Sequence, residues 1–224
     1  MADHQKRAAG EAAAELIQDG TVVGLGTGST AVHFVQALAR RRLDLTCVAT
    51  SRATAELATR LGLRLAALDD VGRIDVTVDG ADEIGPELAL IKGGGGALLR
   101  EKLVWQASAR CIVIADAGKR VGCLGRFPLP IEVTPFGHRH TAARIAGVLE
   151  AAHLPTALRL RGDANKPFVT DNGNLIYDAA LERIAAPAPL ARALKAEAGV
   201  VEHGLFIGLA ATALISTEAG IERL

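Results

Sequence analysis

The chain has 224 residues, half of them apolar and 22% charged, and its 25 basic side chains are balanced by 25 acidic ones. A formal net charge of zero argues against a nucleic-acid or membrane-surface partner, and no run approaches the roughly 20 apolar residues of a membrane span. Small molecules, or further copies of the same chain, remain as partners. Aromatics make up only 3%, so the core must be Ala, Leu, Val and Ile. Cys47, Cys111 and Cys123 are scattered, with neither a disulfide framework nor metal-ligand spacing, and the polar N-terminus has no signal-peptide h-region. Both features point to a reducing, cytoplasmic location.

In chain order, residues 5–18 are expected to form a helix with Ala9, Ala13, Leu16 and Ile17 on one face, closed by Asp19-Gly20. Residues 22–25 read as a short apolar strand. It runs into Gly26-Thr27-Gly28-Ser29-Thr30, then a helix with Val32, Phe34, Val35 and Leu38. Residues 45–49 are the next strand, followed by Thr50-Ser51 and a helix over 53–61 that stops at Gly62. Strands are expected at 63–68 and 74–78, the second opening into Asp79-Gly80-Ala81-Asp82-Glu83. Lys92-Gly93-Gly94-Gly95-Gly96 leads into a helix over 97–109, and a strand over 111–115 ends in Asp116-Ala117-Gly118-Lys119.

This alternation implies a parallel sheet with helices on both faces, and in such sheets the ligand sits at the carboxyl ends of the strands. The polar motifs follow strands, so they point to that one edge. Near Phe127-Pro128-Leu129-Pro130 the texture changes, and the two prolines predict a stiff connector and a domain boundary. Beyond it, strands are expected at 131–134 and 157–160 and helices at 140–152 and 190–198. A hairpin of 168–170 with 174–177 would turn on Asn172-Gly173. Strands within 200–207 and 211–216 are expected to return to the first domain. The fold class is therefore α/β: a Rossmann-like, mostly parallel sheet domain (1–126 and 200–224), plus a smaller α+β, ferredoxin-like domain (127–199).

The stretch around Gly24-Leu25-Gly26-Thr27-Gly28-Ser29 is not the dinucleotide fingerprint, and it lacks the lysine of a P-loop. Its amides and hydroxyls suit a phosphomonoester; the plain alternative is a capped tight turn. Asp79 and Asp82 could bind magnesium, accept sugar hydroxyls or work as acid and base, or simply form a solvated turn. The four glycines after Lys92 let a backbone approach a ligand closely, and Lys92 with the helix start makes an anion site. Glu101 beside that site would repel an anion unless it moves a proton. A carboxylate base with Lys92, Lys119 and amide donors nearby suits proton abstraction next to a carbonyl. The six histidines read as structural or solvated, and no metal site is expected.

Taken in order, these motifs together with Phe127-Pro128-Leu129-Pro130 and Val169-Thr170-Asp171-Asn172-Gly173-Asn174 strongly resemble the ribose-5-phosphate isomerase type A family over nearly the whole chain. The resemblance implies an aldose–ketose isomerase without cofactor or metal, interconverting ribose 5-phosphate and ribulose 5-phosphate in the pentose phosphate pathway. It implies Glu101 as general base through an enediolate, and a phosphate loop at Thr27, Gly28, Ser29 and Thr30. Substrate contacts are implied at Asp79, Gly80, Ala81, Asp82, Lys92, Gly93, Gly94, Gly95 and Lys119, with Lys6 as a further phosphate neighbour. It also implies a homodimer or homotetramer, with the small domain serving oligomerisation. Ala210-Ala211 departs from the family's Ala-Asp before the last strand. The rivals are a sugar-phosphate sensor, which would need a helix-turn-helix that is not visible, and a CoA transferase or amino-sugar phosphate isomerase of similar fold.

Overall fold

The computed structural model describes residues 2–163 and 166–224. In chain order they form α1 (Ala2–Glu15), β1 (Val22–Leu25), α2 (Ser29–Arg40), β2 (Thr46–Ala49), α3 (Arg52–Arg60), β3 (Val76–Gly80), β4 (Glu83–Ile84), β5 (Leu90–Ile91), α4 (Leu98–Gln106) and β6 (Cys111–Asp116). They continue with β7 (Leu129–Val133), α5 (His138–Ala151), β8 (Leu158–Leu160), β9 (Gly162–Asp163), β10 (Lys166–Pro167), β11 (Leu175–Ala179), α6 (Pro187–Lys195), β12 (Val200–His203), β13 (Leu205–Phe206), β14 (Thr212–Thr217) and β15 (Gly220–Arg223). Two compact units result. The first joins residues up to Ala81 with Arg100–Arg120 and Gly208–Leu224, and the second joins Asp82–Leu99 with Val121–Ile207.

The first unit is built on a six-stranded sheet in the order β15-β14-β6-β3-β1-β2. All its pairs are parallel except β14 with β15. The chain leaves β1 in one direction to β2 and returns to β1's other side with β3, so the strand order reverses between β1 and β3. A crevice at the carboxyl ends of the strands opens at such a reversal. Apolar side chains of one sheet face (Val23, Leu25, Cys47, Val78, Ile112, Ile114) pack with Ala9, Ala13, Phe34 and Leu38 of α1 and α2. On the other face, Val104 of α4 packs with Val48 and Ile74. With so few aromatics, the helices must come close. A Cβ at Gly10 of α1 would lie 2.7 Å from the Phe34 nitrogen of α2. Burial pushes the Cys47 thiol up to about 11, so it stays protonated and acts as a small apolar filler.

The second unit carries a four-stranded antiparallel sheet in the order β12-β7-β11-β8, visited by the chain as β7-α5-β8-β11-α6-β12. That is the ferredoxin-like arrangement the sequence leads one to expect. Ile131, Val133 and Tyr177 pack with Ile145, Leu149, Leu190 and Leu194 of α5 and α6. A three-stranded sheet, β13-β5-β4, and the short β9–β10 pair complete the unit.

Several expectations need correction. The 82–99 segment and residues 121–126 and 200–207 belong to the second unit, not to the larger domain. The reason is pairing: β12 closes the free edge of β7, and β13 pairs with β5. Only β14 returns to the large sheet as expected. Residues 63–68 make a single bridge, Leu65 to Cys47, in place of a strand. Leu16 lies just past α1 and is 37% exposed, not on its packed face. The Asn172-Gly173 turn forms, the Gly173 N–H donating to the Thr170 carbonyl and the Thr170 N–H to the Asn174 carbonyl (each 2.9 Å), but residues 168–170 make no strand. Thr170 Oγ1 instead accepts the N–H groups of Asn172 (3.3 Å) and Asn174 (3.1 Å) and donates to the buried Glu132 carboxylate (2.9 Å). A side chain that captures backbone donors in this way competes with a ladder, and β11 pairs with β7 and β8.

Candidate active site

In the first unit, β1, β2, β3 and β6 end side by side, as their registers show: Leu25 with Ala49 and with Val78, and Gly80 with Ile114. The residues that follow are Gly26, Thr50, Ala81 and Ala117. The loop after β1 lies hard against β3. A Cβ at Gly26 would sit 2.2 Å from Asp79 Oδ1, so only glycine fits there. Asp79 is fully buried and its Oδ1 accepts the N–H of Thr27 (3.0 Å) and of Gly80 (2.7 Å). One carboxylate thus ties the two strand ends at the reversal point together.

Thr27 does not present its hydroxyl as a simple ligand donor. Its Oγ1 lies 2.8 Å from both Thr50 Oγ1 and Ser51 Oγ and 3.1 Å from Thr54 Oγ1. Thr54 Oγ1 in turn donates to the Gly26 carbonyl at 3.0 Å. This knot of hydroxyls braces the loop from behind. Thr50 and Ser51 are visible in the sequence after the strand, but their partner across the loop is not. Gly28 then takes φ +113, a region open to glycine, and caps α2. Ser29, exposed, and Thr30, buried, start α2, whose first-turn N–H groups have no acceptor within the helix. Anions are favoured there.

Also in this unit, Glu101 and Lys102 lie on α4 at 4% and 7% exposure. Lys119, half-buried, ends the 3-10 turn after β6, where the Gly118 N–H donates to Asp116 Oδ1 at 3.0 Å. Lys6 sits half-buried on α1. The Ala210-Ala211 departure falls at a backbone contact, the Ala211 N–H donating to the Cys111 carbonyl at 2.9 Å.

In the second unit, the acidic turn proves to hold different jobs. Glu83, 1% exposed, accepts the N–H groups of Gly125 and Phe127, each at 2.7 Å, and so anchors the connector. Asp82 reaches the glycine loop, where its Oδ2 accepts the Gly94 N–H at 2.8 Å. Lys92 is 2% exposed, with its Nζ 5.4 Å from the centre of the Phe206 ring. Gly94 and Gly95 are exposed, and Gly96 closes the turn by donating to the Gly93 carbonyl at 2.9 Å. Arg161 also contacts this loop, and nothing in its local sequence marks it. Among the described residues, no three His, Cys, Asp or Glu side chains cluster as a metal ion would require, and no helix is long and apolar enough to cross a membrane.

Comparison with known proteins gives a consistent result. The family model for ribose 5-phosphate isomerase A (phosphoriboisomerase A) matches residues 46–220. A second, shorter match, to the DeoR C terminal sensor domain, covers residues 2–66. The ribose-5-phosphate isomerase A of Caulobacter vibrioides is 62% identical over 224 residues, spanning 100% of this chain and 98% of that protein. The crystal structure of ribose 5-phosphate isomerase A from Neisseria gonorrhoeae superposes with TM-score 0.92 at 33% identity, covering 100% of this chain and 97% of the other. A D-ribose-5-phosphate isomerase in complex with phospho-erythronic acid superposes with TM-score 0.92 at 37% identity, covering 100% and 99%.

Proposed function

The chain belongs to the ribose-5-phosphate isomerase A family, and from that premise we propose a role for each group in its interconversion of ribose 5-phosphate and ribulose 5-phosphate. Glu101 is the general base. It takes the C2 proton of the aldose and, after exchange with solvent, delivers a proton to C1, so that carbon oxidation at C2 and reduction at C1 balance through a shared enediolate. No redox partner is needed, which fits a sequence without the dinucleotide fingerprint. The loop Thr27 to Thr30 holds the phosphate. Asp79, with Gly80 and Ala81, and Asp82 face sugar hydroxyls. Lys92 and the Gly95 amide stabilise the enediolate oxygens, Gly93 and Gly94 shape the loop against the substrate, and Lys119 adds a further substrate contact.

The observation that carries this reading is the placement of Glu101. It is a carboxylate 4% exposed, near the start of a helix that follows a glycine loop, in a chain matched end to end by isomerases. A buried acid of this kind is suited to proton transfer. The test is isomerisation in D2O with excess EDTA. Turnover should persist and place deuterium at C1 of ribulose 5-phosphate. Turnover with no solvent deuterium in either sugar, together with full activity of Glu101→Gln, would mean a hydride shift, and loss of turnover in EDTA would mean a metal.

The sensor-domain match spans the phosphate loop, β1 and β2, a stretch that a binding module and an enzyme can share. It does not reach Glu101, so it supports phosphate binding without deciding chemistry. We also assign the chain to the cytoplasm and to a homodimer or homotetramer assembled through the second unit. Support for the assembly comes from Phe136 and Val169, both in that unit and 95% and 55% exposed. Light scattering should report a dimer or tetramer; a monomer at micromolar concentration would remove the assignment.

A further inference from the structure

We propose that Arg161 is a positioning residue for the isomerisation, orienting the glycine loop so that the Gly95 amide faces the substrate side while the Gly94 amide is held by Asp82. This rests on the reading above, in which that loop contacts the substrate. Arg161 Nη1 donates to two successive carbonyls, Gly93 at 2.9 Å and Gly94 at 3.1 Å. The rest of the guanidinium is held by a fork. Nε donates to Asp178 Oδ2 at 3.0 Å and Nη2 to Asp178 Oδ1 at 2.5 Å. Asp178 lies on β11, and its side chain and that of Arg161 are only 9% and 15% exposed. A planar guanidinium clamped on one edge presents its remaining donors in a set direction.

A planar trans peptide points its C=O and the next N–H in opposite directions. Because one guanidinium takes the Gly93 and Gly94 carbonyls, the N–H groups of Gly94 and Gly95 must turn away from it. The Gly94 N–H does so and meets Asp82 Oδ2 at 2.8 Å. The Gly95 N–H is sent to the same side, and among the described residues no backbone carbonyl accepts it. It is therefore available to an oxyanion on the substrate.

The loop has no side chains with which to hold this orientation, and glycines have more backbone freedom to lose than any other residue. Phe168 supplies the second brace. Its ring lies 5.8 Å from Arg161 Cζ, and a Cβ at Gly96 would come within 2.5 Å of that ring. The Phe168 N–H donates to the Arg161 carbonyl at 2.8 Å. Loop, guanidinium and ring thus form one packed set. Misplacing a donor by about 1 Å can cost a reaction roughly 10²-fold.

The test compares wild type with Arg161→Gln, Arg161→Lys and the double variant Arg161→Gln/Asp178→Asn. Arg161→Gln should lower kcat by about 10- to 100-fold and, because it takes the fork from the buried Asp178 carboxylate, should also lower the melting temperature. Arg161→Lys should recover part of that loss. The double variant, which leaves no unpaired carboxylate behind, should stay slow. Two competitive inhibitors separate positioning from general damage. One is a phosphorylated four-carbon aldonic acid, whose planar carboxylate has the shape and charge of the enediolate; the other is the corresponding alditol phosphate. Arg161→Gln should weaken the acid far more than the alditol. Wild-type kcat in Arg161→Gln, full recovery in the double variant, or equal weakening of both inhibitors would each overturn the inference. A wild type that fails to isomerise the sugar phosphate would instead overturn the reading beneath it.

Discussion

Glu101→Gln is expected to slow turnover by at least ~10²-fold, the low end of what general acid–base catalysis contributes. The substitution keeps the shape of a side chain that is 4% exposed and removes only its ability to accept and return a proton. Folding should survive, because a neutral amide is easier to bury than a carboxylate. Circular dichroism and phosphate-ester binding should therefore match wild type while kcat falls. Equal kcat in the folded variant would remove Glu101 from the mechanism.

The second large effect is expected at Lys92. Its ammonium lies 5.4 Å from the centre of the Phe206 ring at the head of the glycine loop, and the side chain is 2% exposed. Lys92→Met retains most of the stem and the packing against Phe206 while deleting the charge. If Lys92 stabilises the enediolate oxygen, kcat should drop by about 10²–10³, as when a single oxyanion donor is removed. Kinetics distinguish the alternatives. A rise in KM with kcat unchanged would make Lys92 a binder of ground state and transition state alike. The amide donors of the loop remain in this variant, so some activity should persist, in contrast to the loss of the only base.

The strand, loop and helix rhythm of the first half is legible in the sequence because apolar runs and glycine punctuation mark each element. The parallel order then brings Gly26, Thr50, Asp79 and Lys119 toward one edge by geometry alone. What cannot be read is pairing at a distance. Thr170 looks like the end of a strand, yet its hydroxyl bonds Glu132 and two later amides, and the turn at Asn172-Gly173 closes without a strand before it. Val200 to Ile207 reads as a strand for the large sheet, yet the open edge of β7 takes its first half. Arg161 is one of many surface-like arginines until β8 and β11 bring it to Asp178 and the loop. The acidic turn divides likewise: nothing local separates Glu83, which anchors a connector, from Asp79, which ties two strand ends.

The first unit is assembled from three separate stretches of chain, with the whole of the second unit lying between them in sequence. β14 pairs in register with β6, Thr212 opposite Ile112, so the large sheet cannot gain its fifth strand until nearly the whole chain has been made. Contacts this far apart close slowly, because chain entropy must be lost before they contribute. The four strands of the small sheet lie within residues 129–203, so their pairings close shorter loops than β6 with β14. Refolding should therefore be stepwise. The small sheet can form early, while β6 keeps an unpaired apolar edge until β14 arrives; for that interval the nascent protein depends on chaperones or dilution to escape strand-to-strand aggregation.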